Sequence, residues 1–341
     1  MNNIDNQTRH PRAAGVAATK SPATAKPSNR ACIVVLGMHR SGTSIVTRVF
    51  SLLGAGLPKN VLGEGSGNSA GHWEPKTIIE LHDIMLSKLG SSWNDWRKLP
   101  AERVLPWRNR LAKTFTNEYG KQPLTVFKDP RVCRFAGTYF DIFARLSIEP
   151  VPVLVFRNPL AVCDSLEKRN GFSREHAALV WLRHMLDAEQ STRGLKRSVI
   201  SYEKFVADWR KELAASTIET AFARVAGLAR NECEIDAHIS PDLSHHSYPR
   251  SAIAGAGIIG KWLRRTFDAF EELRQDPNDM AAQFSLDQVG EAFHPLAEAF
   301  GAAAFGEVAR LELELDRLRA VERMFLAART SSTIENERPN V

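Results

Sequence analysis

Apolar runs and stretches of helical periodicity alternate along most of the chain. CIVVLG (residues 32–37) and VPVLVF (151–156) are short, apolar runs, the pattern of strands buried on both faces. LTVFKDP (124–130) reads as a strand ended by proline, and RSVISYE (197–203) as a further strand. Between them lie segments with apolar positions at three- and four-residue spacing. TSIVTRVFSLLG (43–54) ends in a glycine stop, KTIIELHDIMLSKLG (76–90) follows, and LPWRNRLAKTFTNEYG, FAGTYFDIFARL, LAVCDSLEKR and SREHAALVWLRHMLDAEQSTRG complete the set. Strands that alternate with helices require parallel pairing with crossovers. The expected fold class is therefore α/β, a doubly wound parallel sheet flanked by helices, with a helical C-terminal part. No internal repeat is visible.

The 341 residues divide unevenly in charge. Residues 1–30 carry Arg9, Arg12, Lys20, Lys26 and Arg30 against Asp5, so most of the formal +6 lies there and the remainder is close to neutral. This places nucleic-acid binding through a basic patch low among the functions to consider. The segment has no apolar periodicity and reads as a disordered basic tail; a catalytic domain is expected over 31–305, a C-terminal helix over 306–328, and a disordered tail over 329–341. On the helix, Val308, Leu311, Leu315, Leu318 and Phe325 form a seam that Glu322 interrupts. The seam is expected to pack on its parent domain ahead of forming a short coiled coil and a homodimer. No apolar run approaches the roughly 18 residues that span a bilayer. Cys32, Cys133, Cys163 and Cys233 show neither C-x-x-C nor zinc spacing, so buried thiols in a reducing, cytoplasmic setting are expected, with peripheral contact to a membrane left open. His245 and His246 lie in a polar loop, where a solvated surface is expected in preference to a metal site.

VVLGMHRSGTSIV (34–46) brings in chemistry. It has the frame of a phosphate-binding loop, with Gly37 and Gly42 five positions apart, but Thr43 stands where a Walker lysine would follow the second glycine. The cation is instead Arg40, inside the loop. Loop amides, a helix N-terminus, Ser41, Thr43, Ser44 and Arg40 would converge on an anion. The strand at 151–156 ends in Arg157-Asn158-Pro159, not in a metal-binding acid; Asp129 ends the other strand but follows Lys128. Cations at strand ends suggest a highly anionic nucleotide neutralised by side chains without a required metal.

These residues resemble the sulfotransferases that use 3′-phosphoadenosine 5′-phosphosulfate (PAPS). GMHRSGTS (37–44) resembles their 5′-phosphosulfate loop, and FRNPLAVCDS (156–165) their 3′-phosphate motif, with Ser165 eight positions after Arg157. With GHWEP (71–75) and KDPR (128–131), the pattern is similar to bacterial members associated with surface glycans. The resemblance covers about residues 31–210. It implies PAPS as co-substrate, a P-loop-like fold, and a carbohydrate or glycolipid hydroxyl as acceptor. It further implies nucleotide contacts from Gly37, His39, Arg40, Ser41, Gly42, Thr43, Ser44, Arg157 and Ser165. Tyr202 is an adenine-pocket candidate, with core packing an equal alternative. A late glycine-tryptophan segment, GIIGKWLRRTF (257–267), lacks the family's preceding Arg-Lys and has Gly255-Ala256 there; Arg250 or Lys261 could substitute.

Sulfuryl transfer to an alcohol needs a base for the hydroxyl and fixed cations for the departing phosphate. The resemblance assigns the cations to Arg40 and Lys128. Glu74 is the first candidate for the base and His72 the second; Glu64, His82 and Asp83 are outsiders. Glu74 could instead complement the N-terminus of the helix that follows it, while Trp73 could dry its carboxylate. Asp129 and Arg131 are expected to pair or to shape the nucleotide site. Trp93, Trp96 and Trp107 could stack on sugar rings or pack a core or lid. Two other classes stay open: a P-loop-like kinase or NTPase, and a non-catalytic nucleotide-binding scaffold.

Overall fold

The computed structural model describes residues 30–63, 71–214, 216, 218–222, 231–239, 248–253 and 257–336. The basic tail over 1–29, Glu64, His245, His246, Gly255, Ala256 and residues 337–341 lie outside them. In chain order the strands are β1 (Ala31–Leu36), β2 (Val61–Leu62), β3 (Glu74–Pro75), β4 (Leu124–Lys128), β5 (Glu149–Phe156) and β6 (Ser198–Ser201). The first helices are α1 (Thr43–Leu52), α2 (Lys76–Lys88), α3 (Ala101–Val104), α4 (Arg108–Tyr119), α5 (Ala136–Arg145), α6 (Pro159–Asn170) and α7 (Arg174–Thr192). After β6 come α8 (Tyr202–Ala207), α9 (Trp209–Ala214), α10 (Glu219–Phe222), α11 (Glu232–His238), α12 (Gly257–Gln275) and α13 (Met280–Asn336).

Four strands form a parallel sheet in the order β4-β1-β5-β6. The central strand β1 is buried at all six positions, which is why its sequence is apolar throughout instead of alternating. Its side chains feed two cores. Ile33 and Val35 pack with Val46, Val49 and Phe50 of α1 and with Phe205, Trp209 and Ile235. Cys32, Val34 and Leu36 face the other layer, with α2, α4, α5, α7, α12 and the start of α13. Helices thus cover both faces, the doubly wound α/β sandwich expected from the alternation. Because β1 pairs with β4 and β5 in register, Val35 lies opposite Lys128 and Val153. The C-terminal ends of three adjacent strands therefore meet in one place, with the 37–42 turn, Lys128 and Arg157 side by side. In open parallel sheets this edge is where ligands sit.

The C-terminal part differs from the expectation. α13 is one helix from Met280 to Asn336, with Pro295 inside it, so it runs through 305/306 and residues 329–336 are helical. Its first turns carry Ala282, Leu286, Val289, Phe293 and Ala297 into the core, a contact that the sequence pattern downstream of 306 could not reveal. Leu311, Leu315 and Leu318 are exposed and do not pack on the parent domain.

Candidate functional site

The loop between β1 and α1 is built around backbone conformations with positive φ. Arg40 has φ 69° and Gly42 φ 84°. At Gly42 the glycine is also sterically required, because a Cβ there would collide with the Tyr202 ring. Gly42 caps α1 without any side-chain cap, leaving the helix N-terminus directed at the loop. Thr43 is buried and Ser41 fully so, and the Ser41 hydroxyl has no hydrogen-bond partner among the described residues. At Gly37 the backbone amide is already engaged. Its N–H donates to Cys133 Sγ at 3.1 Å, and a Cβ there would clash with the Val155 carbonyl. Gly37 is a packing residue that lets the loop leave between β1 and β5, and it offers no free amide.

The two phosphate motifs are joined. Arg40 Nε donates to Ser165 Oγ at 2.8 Å, bridging 125 positions of sequence. Arg157 Nη1 donates to the Arg40 carbonyl at 3.0 Å, and its guanidinium lies 4.5 Å from the centre of the Tyr202 ring. Arg157 Nε is buried and unpartnered among the described residues. Burial, then the neighbouring Arg157, lowers the Arg40 pKa from its ordinary value. Two guanidinium groups held this close repel each other, so each destabilises the other's charged form. Tyr202 is buried and wedged between Gly42 and Arg157. Asn158 caps α6, accepting from the Leu160 N–H at 3.0 Å.

A third cation completes the edge. Lys128, 1% exposed, donates from Nζ to Ser44 Oγ at 3.0 Å and to Glu74 Oε1 at 2.5 Å. Glu74 is not in a loop. It lies in β3, paired antiparallel with β2, where Leu62 is its register partner. It is 5% exposed, and the Lys128 ammonium is hydrogen-bonded to its Oε1. Burial raises the Glu74 pKa; Lys128 opposes that shift without cancelling it. His72 is half-buried, with its pKa lowered by burial and then by Lys128, Arg169 and Arg40, so it shares the same cationic surroundings. Trp73 has φ 57° and holds the Arg48 guanidinium 4.3 Å over its ring.

Directly behind Lys128, Asp129 belongs to a different network. It is fully buried, bonded to His82 Nδ1 at 2.7 Å and to Arg131 Nη1 at 3.0 Å. The other His82 nitrogen meets Tyr139 Oη at 2.7 Å, and Arg131 also pairs with Asp83 at 2.6 Å. Burial alone would raise the Asp129 pKa, but Arg131 and then His82 hold it well below the carboxylate range. His82 and Asp83 are thereby occupied as structural groups. The periodicity carried the missed signal: His82 shares the buried face of α2 with Ile78, Leu81 and Met85.

Aromatic side chains form a wall beside the loop. The His39 ring lies 4.6 Å from Trp93, edge-on, and Trp93 stacks on Phe172 at 5.6 Å. Arg169 sits 5.7 Å over Trp93, and sequence reasoning missed both Phe172 and Arg169. Burial, then Arg131, pushes the His39 pKa well below its usual range. Trp96 is buried against Phe305 and serves the core. Trp107 lies in a 3-10 turn packed against the core. Arg250 pairs with Asp268 at 2.7 Å, and Lys261 is an exposed residue of α12. Three of the four cysteines, Cys32, Cys133 and Cys163, are buried, while Cys233 is exposed. Among the described residues no helix is long and apolar enough to cross a membrane.

Solved structures similar to this chain are sulfotransferase domains. One is the sulfotransferase domain of the Synechococcus PCC 7002 olefin synthase, at 18% identity and TM-score 0.42, covering 73% of this chain and 98% of that one. Another is the sulfotransferase STF1 from Mycobacterium tuberculosis H37Rv, at 13% identity and TM-score 0.37, covering 69% and 75%. A third is the sulfotransferase domain of the curacin biosynthetic pathway, at 16% identity and TM-score 0.28, covering 68% and 82%. No family model and no curated protein matches the chain.

Proposed function

We propose that the chain is a PAPS-dependent sulfotransferase acting on a hydroxyl of a carbohydrate or glycolipid. One observation carries the reading: Arg40 of the first motif bonds to Ser165 of the second, while Arg157 bonds to Arg40. A ligand with phosphate at both ends of an adenosine needs two such sites fused, whereas a nucleoside triphosphate needs the first alone. The alternative of a kinase or NTPase leaves Arg157 and Ser165 without a task. The scaffold alternative leaves Glu74 unexplained, since its carboxylate is bonded to the same lysine as Ser44.

In this reading the 5′-phosphosulfate lies over the α1 N-terminus, where Ser41, Thr43 and Ser44 supply hydroxyls and Arg40 and Lys128 supply charge. The 3′-phosphate lies on Arg157 and Ser165. The Glu74 carboxylate takes the acceptor proton through Oε2 as the acceptor oxygen bonds to sulfur. The bond from sulfur to the bridging oxygen breaks, and the electron pair leaves on 3′-phosphoadenosine 5′-phosphate. Arg40 and Lys128 stabilise that growing charge. Burial raises the basicity of Glu74 toward its task, and Lys128 keeps it aimed. His72, in the field of Lys128 and Arg40, orients the acceptor, and Trp93 and Phe172 offer a face for a sugar ring. Two measurements test the reading. Transfer of labelled sulfate from PAPS to glycan acceptors is expected, and calorimetry should detect 3′-phosphoadenosine 5′-phosphate binding without Mg²⁺, more tightly than 5′-AMP. Tighter binding of ATP–Mg²⁺ than of the 3′,5′-diphosphate would turn the reading toward a kinase.

A further inference from the structure

The face of α13 that covers the core does not stop where the core stops. Ala282, Leu286, Val289, Phe293 and Ala297 recur at helical spacing and are buried. Phe305, tilted against Trp96 with ring centres 5.9 Å apart, marks the far end of the body. Two heptads beyond Ala297 the same face continues as Leu311, Leu315 and Leu318, which are 52%, 46% and 61% exposed. Val321 and Met324 are exposed beside them. A helix projecting from its body gains most of its stability from covering such a stripe.

The charge pattern says what covers it. Residues 307–316 carry Glu307, Glu312, Glu314 and Asp316 against Arg310; residues 317–323 carry Arg317, Arg319 and Arg323 against Glu322. The projecting helix is therefore acidic in one half and basic in the next. A second copy laid parallel would set acid on acid and base on base, and would bring two copies of Glu322 together in the seam. Laid antiparallel, each acidic half meets a basic half, and Glu322 falls opposite the Leu311–Arg310 turn of the second copy. The pattern is complementary to itself only under a twofold axis perpendicular to α13.

We propose that this seam is the interface of an antiparallel homodimer, with the twofold axis crossing α13 near residues 316–317. The proposal is independent of the reaction assigned above. Sedimentation equilibrium of the full chain should give a dimer at micromolar concentration. The Leu315→Asp/Leu318→Asp double variant, altered outside the core, should associate about 100-fold more weakly or worse while keeping its thermal melt. Orientation is read by disulfide trapping in a Cys233→Ser background. Leu311→Cys chains mixed with Glu322→Cys chains should cross-link, and Leu311→Cys chains alone should not. A monomeric parent chain, or a double variant as dimeric as the parent, overturns the interface. Self-cross-linking of Leu311→Cys overturns the antiparallel arrangement, and a monomer that binds anionic lipid vesicles through the stripe assigns it to a membrane surface.

Discussion

Lys128 and Asp129 are consecutive residues at the end of β4, yet they anchor two buried ionic clusters of opposite character. On one side, Lys128 holds Glu74 by a hydrogen bond to Oε1. On the other, Asp129 is closed off by His82, Arg131 and the Arg131 N–H. Consecutive residues in an extended strand point to opposite faces, so one side chain reaches the ligand edge and the next reaches the helical layer. Both carboxylates are desolvated, but partners decide the result. Burial, with the nearby Asp129 charge adding to it, keeps the Glu74 pKa raised against Lys128; a guanidinium and an imidazole bonded to Asp129 hold it well below the usual range. A carboxylate whose pKa is raised can exchange a proton, whereas one held well below the usual range can only hold a structure together.

The widest separation of the two should come from neutral amides. Glu74→Gln is expected to lower turnover by about 10²–10⁴-fold and to leave the affinity for 3′-phosphoadenosine 5′-phosphate within a factor of a few, as read by steady-state kinetics and calorimetry. A Glu74→Gln enzyme with parental turnover would pass the role of base to His72. Asp129→Asn is expected to act on stability instead, costing about 1–3 kcal/mol in chemical denaturation because it removes one of the two carboxylates that hold Arg131 and leaves buried donors less well satisfied. If Asp129→Asn proved as stable as the parent, the comparison between an exchanging and a saturated carboxylate would fail.

A smaller effect isolates the second phosphate site while leaving both carboxylates intact. Arg157→Ala should weaken 3′-phosphoadenosine 5′-phosphate by about 1.5–3 kcal/mol, the worth of a charge-assisted contact, and 5′-AMP by much less. Equal losses for the two ligands in calorimetry would remove Arg157 from the 3′-phosphate.

The sequence made some of this arrangement legible because it is local. The apolar run, the glycine pair and the helix after it define β1, the loop and α1 without any distant partner. Lys128 and Arg157 could be placed at strand ends because the strands were continuous and apolar up to them. What escaped is tertiary. Nothing near Gly37 announces that its N–H belongs to Cys133, and nothing near residue 74 says that the chain returns as a strand to meet Lys128. His82 lay on an apolar helix face, a hint of burial, but its partner Asp129 is 47 positions away. The origin of α13 at Met280 was hidden because its first turns pack on the body, so their apolar face read as more of the domain.

The gentlest test uses pH and stability, where the two carboxylates should carry opposite signs. Asp129 has a folded pKa below its unfolded value of 3.8, so its contribution is fully present above that value and declines as pH falls below it. Glu74 has a folded pKa above its unfolded 4.5, so folding favours its protonated form; that contribution is complete below 4.5 and is lost as pH rises through the folded value. One proton sets a slope of at most about 1.4 kcal/mol per pH unit, and coupling of Glu74 to Lys128 should keep the observed slope below that. Denaturant midpoints of the parent and of Glu74→Gln should therefore diverge upward from pH 4.5, the variant losing less stability than the parent as pH rises. Asp129→Asn should retain that decline and lose the acid-side fall below pH 3.8. If Glu74→Gln reproduced the parent's curve above pH 4.5, burial would not be raising the Glu74 pKa, and its suitability as a base would have to come from Lys128 alone.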